Sequence, residues 1–268
     1  MTKSILLGLL GLTTLTSAAP VSLNRRGSGK RGLAYNNGAL TDYFGGSKVT
    51  WTYNWVSASN GASSGLEFVP MLHSTDAAFT GVWAADVKTA VKAGSTHVLS
   101  FNEPDQCGGG GTCITDPGAA ASAHKQYMSP IADTYPSVKI GAPAVTNGVT
   151  SSTGSSMGLP YLKSFLTACD DCRIDFVAAH WYDSAENVSY FKQHLQDVHT
   201  QTGKPVWVTE FAPQGSDAQK QAFLQEVLPW MDGQDWIERY AYQWVAPGVL
   251  INDAGTGLSA LGSVYQSA

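Results

Sequence analysis

From residue 32 onward the chain alternates short, β-prone apolar runs with longer stretches of helical spacing, and that alternation leaves few folds open. The strand candidates are 32–36, 49–55, 66–72, 97–103, 138–142, 176–182, 206–211 and 240–244. Between them, 77–93, 119–135, 161–168, 189–202 and 217–231 read as amphipathic helices, several opened by Asp, Ser or Pro near the first turn. Strand followed repeatedly by helix implies a parallel sheet. Eight strand units in about 240 residues predict an α/β chain folded as a single-domain (β/α)8 TIM barrel. An open doubly wound sheet would carry a glycine-rich turn directly after its first strand; here that strand runs into Tyr35-Asn36-Asn37. Glycines 108–111 lie far downstream with no Lys-Ser/Thr after them, which suits a flexible loop between two cysteines better than a phosphate cradle.

The N-terminus points to secretion. Lys3, an apolar stretch from Ile5 to Leu12 and the small-residue run Ser17-Ala18-Ala19 have the layout of a secretory signal over 1–19, too short to span a bilayer. Residues 20–31 then read as a propeptide or flexible segment with dibasic pairs at Arg25-Arg26 and, ranked lower, Lys30-Arg31; 32–268 is the catalytic domain. An oxidising compartment agrees with Cys107, Cys113, Cys169 and Cys172. Four cysteines permit three pairings; sequence proximity favours Cys107 with Cys113 and Cys169 with Cys172. Asn187-Val188-Ser189 is a glycosylation acceptor.

Sixteen Lys and Arg against 21 Asp and Glu give a net charge of −5, so neither nucleic acid nor an anionic membrane is expected as a partner. With 14% charged and 10% aromatic residues, the composition suits a neutral polymer met through ring faces, and a monomer is the default. No cofactor and no metal are expected: Cys107 and Cys113 are too loosely spaced for a zinc knuckle, and His180 has no second His at ligand spacing. A serine esterase is disfavoured because no Gly-x-Ser-x-Gly elbow occurs.

The chemistry sits at two strand ends. Glu103 closes the fourth candidate strand and Glu210 the seventh, so both should project into the mouth of a barrel, where such folds build active sites. Two carboxyl groups flanking a glycosidic oxygen are what its hydrolysis needs, one as proton donor and the other, at roughly 5–5.5 Å, as nucleophile in a retaining mechanism. Glu103 must be protonated when it acts while Glu210 must be charged, which gives a bell-shaped rate profile in the acidic range.

Phe101-Asn102-Glu103-Pro104-Asp105 and Trp207-Val208-Thr209-Glu210-Phe211, with Leu33-Ala34-Tyr35-Asn36 and Trp51-Thr52-Tyr53-Asn54-Trp55 upstream, resemble glycoside hydrolase family 128 from about Arg31 to the C-terminus. Fungal members of that family include endo-β-1,3-glucanases and alkali-sensitive-linkage-type cell-wall proteins. The resemblance implies a retaining enzyme in which Glu103 is the acid/base, Glu210 the nucleophile and Asn102 the group that holds the sugar 2-hydroxyl in subsite −1.

Alternation along the sixth strand puts His180 and Tyr182 on one face beside Glu210, with Tyr182 the first choice and His180 the second for a hydrogen bond to it. Trp244, ending the eighth strand, is the candidate platform under a sugar ring, and Tyr35, Tyr53, Trp55 and Trp181 are candidate cleft walls. The Ser, Thr and Gly-rich segment 147–159 reads first as a solvated connection, with cover over part of the cleft as the alternative. The expected function is retaining hydrolysis of β-1,3-glucan, endo action first and exo action second, in the extracellular space or a cell wall. The alternatives are a glucan transglycosylase using the same cleft, in which an acceptor sugar replaces water, and a non-catalytic β-1,3-glucan-binding protein.

Overall fold

The computed structural model of the protein describes Met1 and residues 29–268. Residues 2–28, which hold the candidate signal after Met1 and positions 20–28 of the segment that follows, lie outside the described residues. The strands are β1 (Arg31–Tyr35), β2 (Val49–Tyr53), β3 (Glu67–Phe68), β4 (His97–Val98), β5 (Lys139–Val145), β6 (Phe176–Ser184), β7 (Val206–Gln214) and β8 (Ile237–Val245). They form one sheet in the order β3-β2-β1-β8-β7-β6-β5-β4, and each neighbouring pair is parallel. Chain neighbours are therefore sheet neighbours, and the pairing of β1 with β8 curls the sheet. Beyond the two outermost strands, backbone hydrogen bonds run from Leu99 N to Pro70 O (2.9 Å), Leu72 N to Leu99 O (3.0 Å) and Asn102 N to His73 O (2.9 Å).

Six α-helices follow from β3 onward: α1 (Ala77–Lys92), α2 (Pro117–Thr134), α3 (Gly158–Ala168), α4 (Val188–Thr202), α5 (Asp217–Asp232) and α6 (Ala260–Ser267). Their ends carry the expected chemistry. Asp116 accepts from Gly118 N ahead of Pro117, Ser216 and Gln219 form a capping box on α5, and Gly203 ends α4 in the left-handed region. Three features set the first half apart. The β1–β2 connection holds only a 3-10 turn, Gly38–Phe44, and the β2–β3 connection holds turns without a helix; both are too short and polar for a packed helix. The ladders of β3 and β4 shrink to two residues each, and Pro70, two positions past β3, has no N–H to give. Extended chain nonetheless continues through single bridges, Met71 to Leu99 and Asn102 to Ala144.

The strand period sorts side chains into two layers. Ala34, Trp51, Tyr53, Phe176, Ala178, Trp207 and Ala241 fill the inside of the curl. Leu33, Tyr35, Val177, Ala179, Trp181, Val206 and Val208 face the helices. Trp181 is wedged against Phe191 (ring centroids 5.1 Å) and Phe223 (5.3 Å), while Trp207 stacks on Phe176 at 4.3 Å.

A charged cluster plugs the N-terminal end of the sheet. Glu67, 6% exposed, receives Arg239 Nη2 at 2.6 Å and Thr96 N and Oγ1 at 2.8 and 2.7 Å. The guanidinium lies over Trp207, 4.6 Å from its ring centre, and Trp207 Nε1 donates to Glu238 at 2.9 Å. Burial by itself would raise the Glu67 pKa, but the His97 and Thr96 hydrogen bonds and the Arg239 charge outweigh it and hold the carboxyl near 2.

Lys30-Arg31 is built into this fold. Arg31 opens β1 at 1% exposure and donates to Tyr240 Oη at 3.0 Å, and Lys30 Nζ reaches Gln234 O at 2.7 Å. Among the described residues no helix is long and apolar enough to cross a membrane.

Candidate active site

A cleft of about 640 Å³ opens where the strands end. Its lining takes one contribution or more from the C-terminal part of every strand or the residues after it: Asn36, Trp55, His73, Asn102 and Glu103, Thr146 and Asn147, Tyr182, Glu210 and Gln214, and Gln243 with Trp244. Parallel strands deliver their C-terminal ends to one rim, so residues far apart in sequence meet there.

Glu103 and Glu210 face each other, each 5% exposed. A carboxylate oxygen of one lies within 4.8 Å of a carboxylate oxygen of the other. Glu210 sits within β7 and takes two donors: Trp55 Nε1 at 2.6 Å on Oε1 and the Tyr182 hydroxyl on Oε2. Burial and the adjacent Glu210 charge raise the Tyr182 pKa far above its ordinary value, so the phenol keeps its proton and donates. Glu103 lies just past β4 with φ 40°, a left-handed backbone that costs a non-glycine residue roughly 1–3 kcal/mol and recurs at functional sites. Its Oε1 contacts His180 Nδ1 at 2.8 Å and its Oε2 accepts from Gln106 Nε2 at 3.2 Å.

His180 binds the two carboxylates into one network. Its other nitrogen meets Thr209 Oγ1 at 2.9 Å, and Nδ1 is 3.6 Å from Glu210 Oε2. Burial opposes its protonation, yet Glu210 and Glu103 outweigh burial and raise its pKa. Glu103, His180 and Glu210 are close enough to hold a cation, but both ring nitrogens already engage protein atoms, so the ring has no lone pair left for a metal.

The structure corrects several sequence expectations. Tyr182, the first choice for a hydrogen bond to Glu210, makes it; His180, the second choice, makes its short contact to Glu103 and stays 3.6 Å from Glu210 Oε2. Tyr53 is on the right face of β2 but one layer too deep, fully buried with its hydroxyl on Thr209 O at 2.9 Å. Tyr35 and Trp181 point to the helix side, where Tyr35 bonds Ser59 O and Trp181 packs in the outer core. Trp55, Tyr182 and Trp244 do line the cleft, as does Asn102, whose Nδ2 donates to Gly110 O at 3.1 Å. Asn102 Oδ1 is buried with no protein partner.

Glycines 108–111 form no loose loop. Cys107–Gly108 and Gly111–Thr112 pair as a small antiparallel hairpin, closed by the Cys107–Cys113 disulfide, with Gly108, Gly109 and Gly110 all at positive φ. The second bridge joins Cys169 to Cys172. Segment 147–159 is more than a solvated connection, since Asn147, Gly148 and Met157 form cleft wall. Asp105, fully buried, holds that wall by accepting from Thr146 Oγ1 and Gly158 N, both at 2.7 Å. Sequence reasoning missed His73, Gln106, Met157, Gln214 and Gln243. Of these, His73, Gln214 and Gln243 carry a signal, their place at or near the end of a strand. Burial lowers the His73 pKa, leaving a neutral ring whose Nδ1 is unpartnered.

Paired buried carboxylates at strand ends, each held by neutral or cationic donors, are the machinery of a glycosidase. The chain belongs to the glycosyl hydrolase family whose model, "Glycosyl hydrolase catalytic core", matches residues 32–265. Within that broad group it is a member of glycoside hydrolase family 128. It is similar to a family 128 subgroup III curdlan-specific exo-β-1,3-glucanase from Blastomyces gilchristii, at 38% identity and TM-score 0.80 over 91% of this chain and 100% of that one. A subgroup I endo-β-1,3-glucanase from Amycolatopsis mediterranei, solved with laminaripentaose, is 27% identical with TM-score 0.71, covering 89% of this chain and 99% of that one. Alkali-sensitive linkage protein 1 of Schizosaccharomyces pombe is 33% identical over 261 residues, 90% of this chain. The chain spans 45% of that protein's length.

Proposed function

We propose that the protein is a secreted, retaining β-1,3-glucan hydrolase in which Glu210 is the nucleophile and Glu103 the acid/base. The observation that carries this reading is the approach of the two carboxylates to within 4.8 Å, which is nearer the roughly 5–5.5 Å of retaining enzymes than the roughly 6.5–9.5 Å of inverting ones. The hydrogen bonds across β3 and β4 support a closed (β/α)8 barrel as its scaffold.

In the first step a Glu210 oxygen attacks the anomeric carbon while Glu103 gives its proton to the departing glycosidic oxygen, leaving a glycosyl ester on Glu210. Glu103, now ionised, then takes a proton from water, which attacks the same carbon and frees Glu210. Trp55 and Tyr182 keep the nucleophile oriented by donating to its two oxygens. The unpartnered Asn102 Oδ1 suits acceptance of a sugar 2-hydroxyl, and the Trp244 ring suits an apolar sugar face. Replacing Trp55 by phenylalanine keeps a ring but removes one charge-assisted hydrogen bond. The expected fall in kcat/KM on laminari-oligosaccharides is about 10- to 100-fold, from the ~1.5–3 kcal/mol such bonds contribute. Steady-state kinetics with unchanged thermal unfolding would check it.

The higher identity to the exo-acting relative, 38% against 27% for the endo-acting one, favours release of sugar from chain ends, the second of the two modes expected from the sequence. Product analysis on curdlan, laminarin and linear β-1,3-oligosaccharides tests the whole reading. Glucose alone supports exo hydrolysis, a ladder of oligosaccharides supports endo hydrolysis, and products longer than the substrate indicate a transglycosylase. Binding without turnover would leave a glucan-binding protein. Exposed Asn187, at the start of α4, is the proposed glycan acceptor.

A further inference from the structure

We propose that Gln106 is a positioning residue for the acid/base, aimed by the disulfide-closed hairpin that follows it. The inference rests on Glu103 being the proton donor. Two protein groups hydrogen-bond the Glu103 carboxyl, one per oxygen: His180 Nδ1 meets Oε1 at 2.8 Å and Gln106 Nε2 donates to Oε2 at 3.2 Å. With His180 alone, the carboxyl is free to swing about its Cγ–Cδ bond; a second donor on the other oxygen fixes its plane.

The hairpin settles which end of the Gln106 amide faces Glu103. Gln106 Nε2 also donates to Gly108 O at 3.2 Å, and a carbonyl accepts only from the NH2 end, so the amide oxygen is turned away. Gly108 carries that carbonyl because it sits at φ 85°, and Cys107–Cys113 closes the hairpin beneath it. Three further bonds tie the hairpin to the catalytic motif. Thr112 N donates to Glu103 O at 3.1 Å, Thr112 Oγ1 to Asn102 O at 2.9 Å, and Asn102 Nδ2 to Gly110 O at 3.1 Å. Gln106, Gly109 and Gly110 line the cleft, so the group that orients Glu103 also borders the space where the leaving sugar must sit.

A group that positions the acid matters only when the leaving group needs a proton. The test compares kcat/KM on laminaripentaose, whose leaving alcohol needs one, with kcat/KM on 2,4-dinitrophenyl β-laminaribioside, whose phenolate leaves without one. Gln106→Leu is expected to lower the first by about 10- to 100-fold, as loss of one hydrogen bond to a charged group would, and the second by less than about threefold, with thermal unfolding unchanged. Equal losses on both substrates, or no loss on either, would overturn the proposal. Glu103→Gln is run beside it. If that variant loses the two substrates equally, the acid assignment itself fails; if it discriminates between them and Gln106→Leu does not, only the role of Gln106 fails.

Discussion

Glu210→Gln is expected to lower kcat on β-1,3-glucan by about four orders of magnitude or more, as loss of a covalent nucleophile does, while leaving the fold intact. The amide is the same size as the carboxylate and cannot attack the anomeric carbon. An acceptor oxygen remains for the Trp55 and Tyr182 donors, so the unfolding temperature should change little. Glu103→Gln should be comparably slow on glucan but should retain glycosylation by substrates with an activated leaving group. Added azide separates the two roles by stereochemistry. In Glu103→Gln, azide displaces the Glu210 carboxylate from the glycosyl ester and gives the β-glycosyl azide. In Glu210→Ala, azide attacks the substrate directly from the vacated side while Glu103 protonates the leaving oxygen, and the product is the α-azide. The same anomer from both variants, or full activity in either, would defeat the assignment.

The second large effect is expected at the opposite end of the sheet. Arg239→Met leaves Glu67, 6% exposed, without its 2.6 Å guanidinium partner, and removal of one member of a buried ion pair costs about 3–5 kcal/mol. Urea unfolding at neutral pH measures this directly. Glu67→Gln in the Arg239→Met background should recover a large part of the loss, because the residual buried charge is then gone; additive losses in the double-mutant cycle would show the two side chains to be uncoupled. The pH dependence has a definite sign. Glu67 is held near 2 in the folded protein, below its ordinary 4.5, so its contribution is fully present above about 4.5 and is lost as the pH falls towards about 2. The Arg239→Met variant should lack much of that acid sensitivity.

How far the site was legible in the sequence depends on what each residue's place is determined by. Glu103 and Glu210 were legible because a strand end is a local property and parallel strands share one rim. Tyr182 followed from the two-residue period, and the same period argues against Trp181, which must face the other way from its neighbours His180 and Tyr182. Tyr53 failed for want of depth: two residues of strand is only about 7 Å, enough to separate Trp55 in the cleft from Tyr53 beneath it. Gln106, Met157 and the hairpin glycines were not legible at all. Their positions are set by a disulfide, a buried carboxylate and a run of positive-φ glycines acting together across 50 residues, and no periodicity encodes such closure. The missing helices of the first two connections were legible in their length; α6 was not, being eight residues long.

Asp105 stands two positions after Glu103 in the chain and pins the far wall of the cleft through Thr146 and Gly158. Wall and acid are thereby parts of one rigid piece. A glucan entering this cleft meets a mould already cast, so the entropy of ordering a loop is not charged against each binding event, and selectivity falls on the shape of the incoming chain. Loosening that single carboxylate would convert a fixed mould into a movable lip, trading discrimination among glucan conformations for tolerance of them.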